Sequence, residues 1–211
     1  MKSKKGSAYE RKFCKQLSEW WSFGKWDDVF WRTSQSGGRA TTRMKKGLRT
    51  ADSYGDVAAI REEGKPLTKS TFIELKRGYT NKKGKRGLRN ISITDLLDTP
   101  DRFKTKPVIL EWWLEACRKR KESGRKRSFV IYRRDRKTAC IVMSRKFFSW
   151  LEDESRNGKM MCPPYYNFAW VTVKGVDLMV IPVETFFSWC KPQSLGGRRI
   201  VKRRRKIKRR K

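Results

Sequence analysis

The stretch STFIELKRG, residues 70–78, carries an acid and a base two positions apart, Glu74 and Lys76, inside an apolar run that reads as a β-strand. Side chains two apart on a strand share a face, so Phe72, Glu74 and Lys76 are expected to point one way, with Ile73 and Leu75 pointing into a core. Asp56 opens a second apolar run, GDVAAI (55–60), with Val57 and Ala59 on the opposite face from it. If these strands are antiparallel neighbours, Asp56 and Glu74 meet. Two carboxylates ~4 Å apart at an effective dielectric of ~20 repel by about 4 kcal/mol, so positive charge must sit between them. Lys76 supplies one charge. A divalent cation supplies more, and Mg²⁺ takes one or two carboxylates while keeping several waters. A metal-held water beside a lysine on a basic surface suits phosphodiester hydrolysis, because the metal stabilises charge on the phosphate and generates the nucleophile.

An acid two residues before a lysine occurs at Glu10/Lys12, Glu63/Lys65, Glu74/Lys76 and Asp135/Lys137, and only the third pair lies in an apolar strand. The literal Pro-Asp, Pro100-Asp101, falls in a loop and could pair in order only with Asp135, so it is set aside. The bland alternatives are a cross-face ion pair for Glu74 and Lys76 and a turn-capping acid for Asp56. The chain has no histidine. That excludes triads and nucleases built on an imidazole base and leaves carboxylate, lysine, arginine, tyrosine and metal. Five cysteines, Cys14, Cys117, Cys140, Cys162 and Cys190, are far apart with no C-x-x-C pair, which argues against tetrahedral zinc and a full disulfide framework and for a reduced, intracellular setting. The N-terminus MKSKKGSAYERK has no apolar signal region and no stretch is long and apolar enough for a membrane span, so neither secretion nor membrane insertion is expected.

The 211 residues carry 54 Lys and Arg against 21 Asp and Glu, a formal net charge of +33. Self-repulsion on that scale is tolerated where a polyanion cancels it, so the expected partner is nucleic acid or an anionic surface. The run from Arg198 to Lys211 holds 11 basic residues and no acid, yet the rest of the chain remains strongly basic without it. Like-charge blocks repel and stay solvated, so 197–211 is expected to be a disordered basic tail.

The elements that must hold these residues are readable from periodicity. In GSAYERKFCKQLSEWW (6–21), Phe13, Leu17, Trp20 and Trp21 mark an amphipathic helix, with Ser7 its expected cap and Glu10 at the inward edge of the apolar face. VFWRT (29–33) reads as a strand, followed by a polar, basic loop of about 20 residues. After GDVAAI comes a turn region, REEGKPLTK, and then the strand TFIELK, followed by a second basic loop, GYTNKKGKRGLRN. PVILEWWLEACRKRK (107–121) is a helix apolar along Ile109, Trp112, Trp113 and Ala116, with basic residues suited to the negative end of its dipole. SFVIYRR and TACIVMS are strands, RKFFSWLEDE a helix, WVTVKGVDLMVIP a hairpin and ETFFSWC a short helix. The tetrapeptide FFSW, at 147–150 and 186–189, reads as the packing of two short helices rather than a site.

The order helix with Glu10, strand, strand with Gly55-Asp56, strand with Glu74-x-Lys76, helix resembles the PD-(D/E)xK nuclease superfamily. Within it GSAYERKF, RTSQSGG, YGDVAAI and FIELKRG resemble the motifs of archaeal and phage-type Holliday junction resolvases, over about residues 6–121. The resemblance implies an α/β fold with a restriction-endonuclease-like core (αβββαβ, a mixed central sheet flanked by helices) in residues 1–143. A C-terminal strand/helix extension, 144–196, would pack on it, with the tail beyond. It implies that Asp56 and Glu74 ligate Mg²⁺, helped by the Leu75 carbonyl, with Mn²⁺ an alternative for the same oxygen ligands. Lys76 would orient or activate the attacking water, and Glu10 would complete the acidic cluster directly or through water. Arg11, Arg32, Ser36 and Arg39 would approach DNA phosphates, and the DNA-facing set extends to Arg43, Lys45, Lys46, Arg77, Lys82 and Lys83. No small-molecule cofactor is expected.

The function so implied is a metal-dependent endonuclease on branched DNA such as a four-way junction, in the cytoplasm of a bacterial or phage-infected cell. Two symmetric cuts imply a homodimer, for which Trp112, Trp113 and the aromatics of 147–189 offer an apolar face unless the core takes them. Two alternatives stand beside it: a repair, recombination or defence endonuclease on other DNA structures, and a non-catalytic basic nucleic-acid-binding protein whose carboxylates are structural.

Overall fold

A computed structural model describes residues 4–33, 54–77, 93–97, 106–134, 136–156 and 167–196. The expected DNA-facing residues Ser36, Arg39, Arg43, Lys45, Lys46, Lys82 and Lys83 lie outside these segments, as does the basic tail. Helix α1, Lys4–Trp21, buries Tyr9, Phe13, Cys14, Leu17 and Trp21, one stripe at helical spacing, and leaves Arg11, Lys12, Lys15 and Gln16 exposed. It begins before Ser7, so that residue is not the cap. Its hydroxyl instead accepts hydrogen bonds from the guanidinium groups of Arg11 and Arg32.

Strands β1, Phe30–Arg32, and β2, Val57–Ala59, form an antiparallel pair with Phe30 opposite Ala59 and Arg32 opposite Val57. The buried Ser18 hydroxyl ties β1 to α1, donating to the Cys14 carbonyl at 2.8 Å and accepting the Phe30 N–H at 2.9 Å. The segment expected as a turn, 61–69, is helical: a 3-10 turn at Glu62–Gly64 runs into helix α2, Lys65–Ser70. Pro66 lies in the first turn of α2, where its missing N–H costs nothing and its fixed φ favours the helix.

Strand β3, Thr71–Arg77, is followed by a short helix α3, Thr94–Leu97, and by α4, Val108–Glu122. The chain continues through β4, Arg127–Arg133; β5, Cys140–Ser144; α5, Arg145–Arg156; β6, Ala169–Val173; β7, Val176–Pro182; and α6, Val183–Trp189. The central sheet is mixed, in the order β3-β4-β5-β7-β6. Strands β3 and β4 run parallel, in register from Thr71 opposite Arg127 to Arg77 opposite Arg133, and the other pairs are antiparallel. The strands after residue 144 therefore hydrogen-bond into the same sheet as β3 to β5.

A parallel pair needs a crossover, and α4 supplies it. As a result both faces of β3 are buried. Ile73 and Leu75 join Phe129, Ile131, Ile141 and Ile181 in a core under α1 and α6, where Phe186 and Trp189 also pack. Phe72 joins Val130, Tyr132, Val142 and Val180 in a second core under α4, which takes up Trp112 and Trp113. The face that Phe72 shares with Glu74 and Lys76 is thus a helix-covered interior, not an open sheet surface. Among the described residues no helix is long and apolar enough to cross a membrane.

Candidate active site

Asp56 reaches β3 by a route that strand alternation alone does not suggest. Strand β2 pairs with β1, and the contact to β3 is made by the residues just before β2. The Asp56 N–H donates to the Ile73 carbonyl at 2.9 Å, and the Asp56 carboxylate accepts the Leu75 N–H through Oδ2 at 2.7 Å. At the end of β1 the buried Thr33 pins the same turn: its N–H donates to the Asp56 carbonyl at 3.1 Å and its hydroxyl to the Gly55 carbonyl at 2.9 Å. Only glycine suits position 55. Its φ is +86°, and a Cβ there would lie 2.7 Å from the Ile73 carbonyl oxygen. The Gly-Asp dipeptide is therefore the place where the chain passes against the edge of β3.

The backbone groups of alternate strand residues face opposite edges. Ile73 and Leu75 bond toward Asp56, so the Leu75 carbonyl also points to that edge rather than toward β4. Glu74 lies on the α4 face, 7% exposed, with Oε1 accepting from Lys76 Nζ at 2.6 Å and 3.5 Å from Lys119 Nζ. Lys119 also pairs with Glu115 at 2.9 Å, and that contact holds the Glu115 carboxyl below its ordinary range. The carboxyl of Asp56 is pushed up to about 7, first by burial and then by the negative charge of Glu74 and, more weakly, of Glu10, against the Leu75 N–H and Lys76, which favour its ionised form.

Glu10 stands at the half-buried edge of α1, as its position on the helix predicts, but on the other side of the sheet from Glu74. Its carboxylate pairs with Arg32 at 3.5 Å. Among the described residues no group of three or more Asp, Glu, Cys or His side chains is assembled to hold a metal. The reason is architectural: α1 covers one face of β3 and α4 the other, so Glu10 and Glu74 flank the strand. What fits a divalent cation is smaller: two carboxylates, Asp56 and Glu74, with the Leu75 carbonyl beside them. All three are hard oxygen donors, and the mutual repulsion registered in Asp56 is what a cation would relieve. Among the described members of the expected DNA-facing set, Arg11 is exposed, Arg32 is held by Ser7 and Glu10, and Arg77 lies with its guanidinium carbon 5.8 Å from the Tyr9 ring centre.

Three contributors to the site give little sign of themselves in the sequence. Lys119 reads as one of the dipole-complementing residues of its helix, although it falls three after Ala116, in line with the apolar stripe that faces the sheet. Glu115 comes with it. Thr33 closes a strand whose polar end gives no hint of reaching Gly55.

Taken together, the arrangement sets two carboxylates and a backbone carbonyl at one strand edge, with two lysines against Glu74. The helix–strand order and mixed sheet agree with a restriction-endonuclease-like fold. Neither a comparison with curated proteins nor one with solved structures returns a match. One family model does match, over residues 1–195, and with that span it shows that the chain belongs to the phage putative PDDEXK endonuclease family.

Proposed function

We propose that the chain is a divalent-metal-dependent endonuclease that hydrolyses DNA phosphodiester bonds, selects branched DNA of the four-way-junction type and works as a homodimer. The observation that carries the reading is the convergence at one edge of β3 of Asp56, held by the Leu75 N–H at 2.7 Å, with Glu74, held by Lys76 at 2.6 Å. Asp56, Glu74 and the Leu75 carbonyl would hold Mg²⁺ or Mn²⁺. When bound, the cation supplies Lewis-acid stabilisation of phosphate charge and an activated water. Lys76, held against Glu74 at 2.6 Å, would orient or activate the water that attacks the phosphate. Lys119 holds Glu74 from the helix side and keeps positive charge on the interior wall of the site. Glu10 acts through charge on Asp56 and through Arg32, which it aims along the first strand.

Branch selectivity and the dimer are supported by the motif resemblance over residues 6–121 and by the need for two symmetric cuts to resolve a junction. The test is cleavage of a labelled four-way junction and its matched linear duplex, in Mg²⁺ or EDTA, by wild type and Glu74→Ala, with oligomeric state measured by sedimentation. Symmetric Mg²⁺-dependent nicks on the junction alone, lost in the variant while binding persists, are expected. Equal cleavage of the duplex would make it a nuclease of other DNA structures. Binding without cleavage in every lane would leave a basic nucleic-acid-binding protein with an ordinary ion pair at Glu74 and Lys76.

A further inference from the structure

The two FFSW tetrapeptides end differently. In α6, Trp189 is 1% exposed in the core, whereas in α5 Trp150 is 37% exposed. The helices are rotated by one residue relative to each other, since Phe148 fills the core in the first and Phe186 in the second. Trp150 instead stacks on Phe147, ring centres 5.6 Å apart and planes 16° from parallel, and the two rings face a cavity of about 520 Å³ between α4 and α5. Arg120, Lys126, Arg127 and Lys146 also line it, and among the described residues no acid does. None of these four pairs with a carboxylate among the described residues. The Arg127 guanidinium carbon lies 4.9 Å from the centre of each ring, and its partial burial disfavours its charged form, so a bound anion would relieve it.

We infer that this cavity binds a nucleoside phosphate, presented as an unpaired nucleotide of the DNA substrate, at a place separate from the cleavage centre. The four cations take the phosphate, and a stacked aromatic pair takes the flat face of a base, which in a duplex is covered by its neighbours. The volume lies within the ~300–1,000 Å³ of small-molecule sites and exceeds what an inorganic anion needs. Arg127 pairs with Thr71 and Val130 with Glu74, so the cavity lies three residues, about 10 Å, along the strand from the level of Glu74. That the nucleotide belongs to DNA rests on the endonuclease reading; the nucleoside phosphate chemistry does not.

The test is binding of single-stranded hexathymidylate to the full chain in EDTA, where no cleavage interferes, with thymidine 5′-monophosphate, thymidine and inorganic phosphate as competitors. Trp150→Ala is expected to weaken binding by about ten-fold or more, with Trp150→Phe retaining most of it, and Lys146→Ala to weaken it measurably while lowering the log–log salt slope by about 0.7. Lys137→Ala removes an exposed charge elsewhere and is expected to leave binding as it was. Circular dichroism checks the fold, and Lys146→Ala, at an exposed position, carries the test if Trp150→Ala does not fold. The inference is overturned if both cavity variants bind as Lys137→Ala does, or if phosphate competes as well as the monophosphate. Competition by the free monophosphate at the affinity of the hexamer would overturn the DNA source. If wild type cuts no DNA in any divalent metal while hexamer binding still depends on Trp150 and Lys146, the endonuclease reading fails and the cavity assignment stands.

Discussion

Substituting Asp56 by Asn should abolish cleavage and, in the absence of metal, make the protein more stable. The carboxyl sits at about 7 in the folded chain against an ordinary 3.8, because burial and the charges of Glu74 and Glu10 outweigh the Leu75 N–H and Lys76. An acid raised in this way contributes stability that is fully present below pH ~4, where it is neutral in both states, and lost progressively as pH rises toward 7. A rise of about three pKa units at 1.36 kcal/mol each sets a ceiling near 4 kcal/mol. Because part of the Asp56 residue still meets solvent and its charge is shared with that of Glu74, solvent relaxation reduces this to about 2 kcal/mol. Asparagine has the same shape, and its oxygen can still accept the Leu75 N–H. For a chain of this size each kcal/mol shifts Tm by roughly 2–4 °C, so Asp56→Asn should melt about 4–8 °C higher than wild type at pH 8 in EDTA. The gap should narrow steadily toward pH 4. Mg²⁺ should raise the wild-type Tm and leave the variant unmoved, because a ligand stabilises only a state that binds it. Thermal unfolding followed by circular dichroism from pH 4 to 8 measures all of this. A variant that melts at or below wild type at pH 8 in EDTA, or a gap independent of pH, would refute the claim that Asp56 is held against its neighbours' charge.

Gly55→Ala places a methyl against the Ile73 carbonyl at a positive φ, and should cost about 1–3 kcal/mol and most of the cleavage rate, read from Tm and from single-turnover kinetics. Thr33→Val leaves the Gly55 carbonyl without its 2.9 Å donor; a loss of about 1–2 kcal/mol with a higher Mg²⁺ requirement is expected, and an unchanged metal titration would remove Thr33 from the positioning of Asp56. Lys119→Met should slow cleavage by about ten-fold or more with Lys119→Arg recovering part of it, whereas loss of Lys76 should not be recovered by arginine, since its 2.6 Å approach to Glu74 is a point-charge fit. Deleting 198–211 should lower both DNA affinity and the steepness of its salt dependence, the log–log slope falling by about 0.9 for each phosphate no longer neutralised, while leaving metal-dependent cleavage detectable at saturating enzyme.

Much of this fold is legible in the sequence because its strands and helices obey simple periods. Runs such as TFIELK and SFVIYRR lie within a residue or two of β3 and β4, and the stripe of α1 is read directly from Phe13, Leu17 and Trp21. Where local signals mislead, they have two meanings. Gly64-Lys65-Pro66 carries the two strongest turn formers, yet proline in a first turn also starts a helix, and tertiary packing decides for the helix: a Cβ at Gly64 would crowd Phe30 and Val29. The β6–β7 hairpin is legible across Lys174-Gly175, but the pairing of β7 with β5 has no local signal, because pairing between strands distant in sequence is fixed by which faces the cores require.

The site divides along the same line. Residue types and order single out Asp56, Glu74 and Lys76 as candidates, since an acid and a base are conspicuous in the apolar run of β3 and Asp56 directly precedes β2. How they meet is hidden, because alternation along a strand describes side-chain faces and says nothing about edges. Asp56 does not look across a ladder at Glu74; it comes in along the edge of β3 and takes the N–H that an edge strand leaves without a partner. An unpaired strand edge is ordinarily a liability. Here it offers in one place a backbone donor that fixes one carboxylate, the carbonyl of the same residue on the same edge, and the Glu74 side chain on the helix-covered face beside them. The same geometry accounts for Glu10 standing apart from the other two acids: an edge has two flanking faces, each covered by its own helix, and Glu10 belongs to the one that Glu74 does not share.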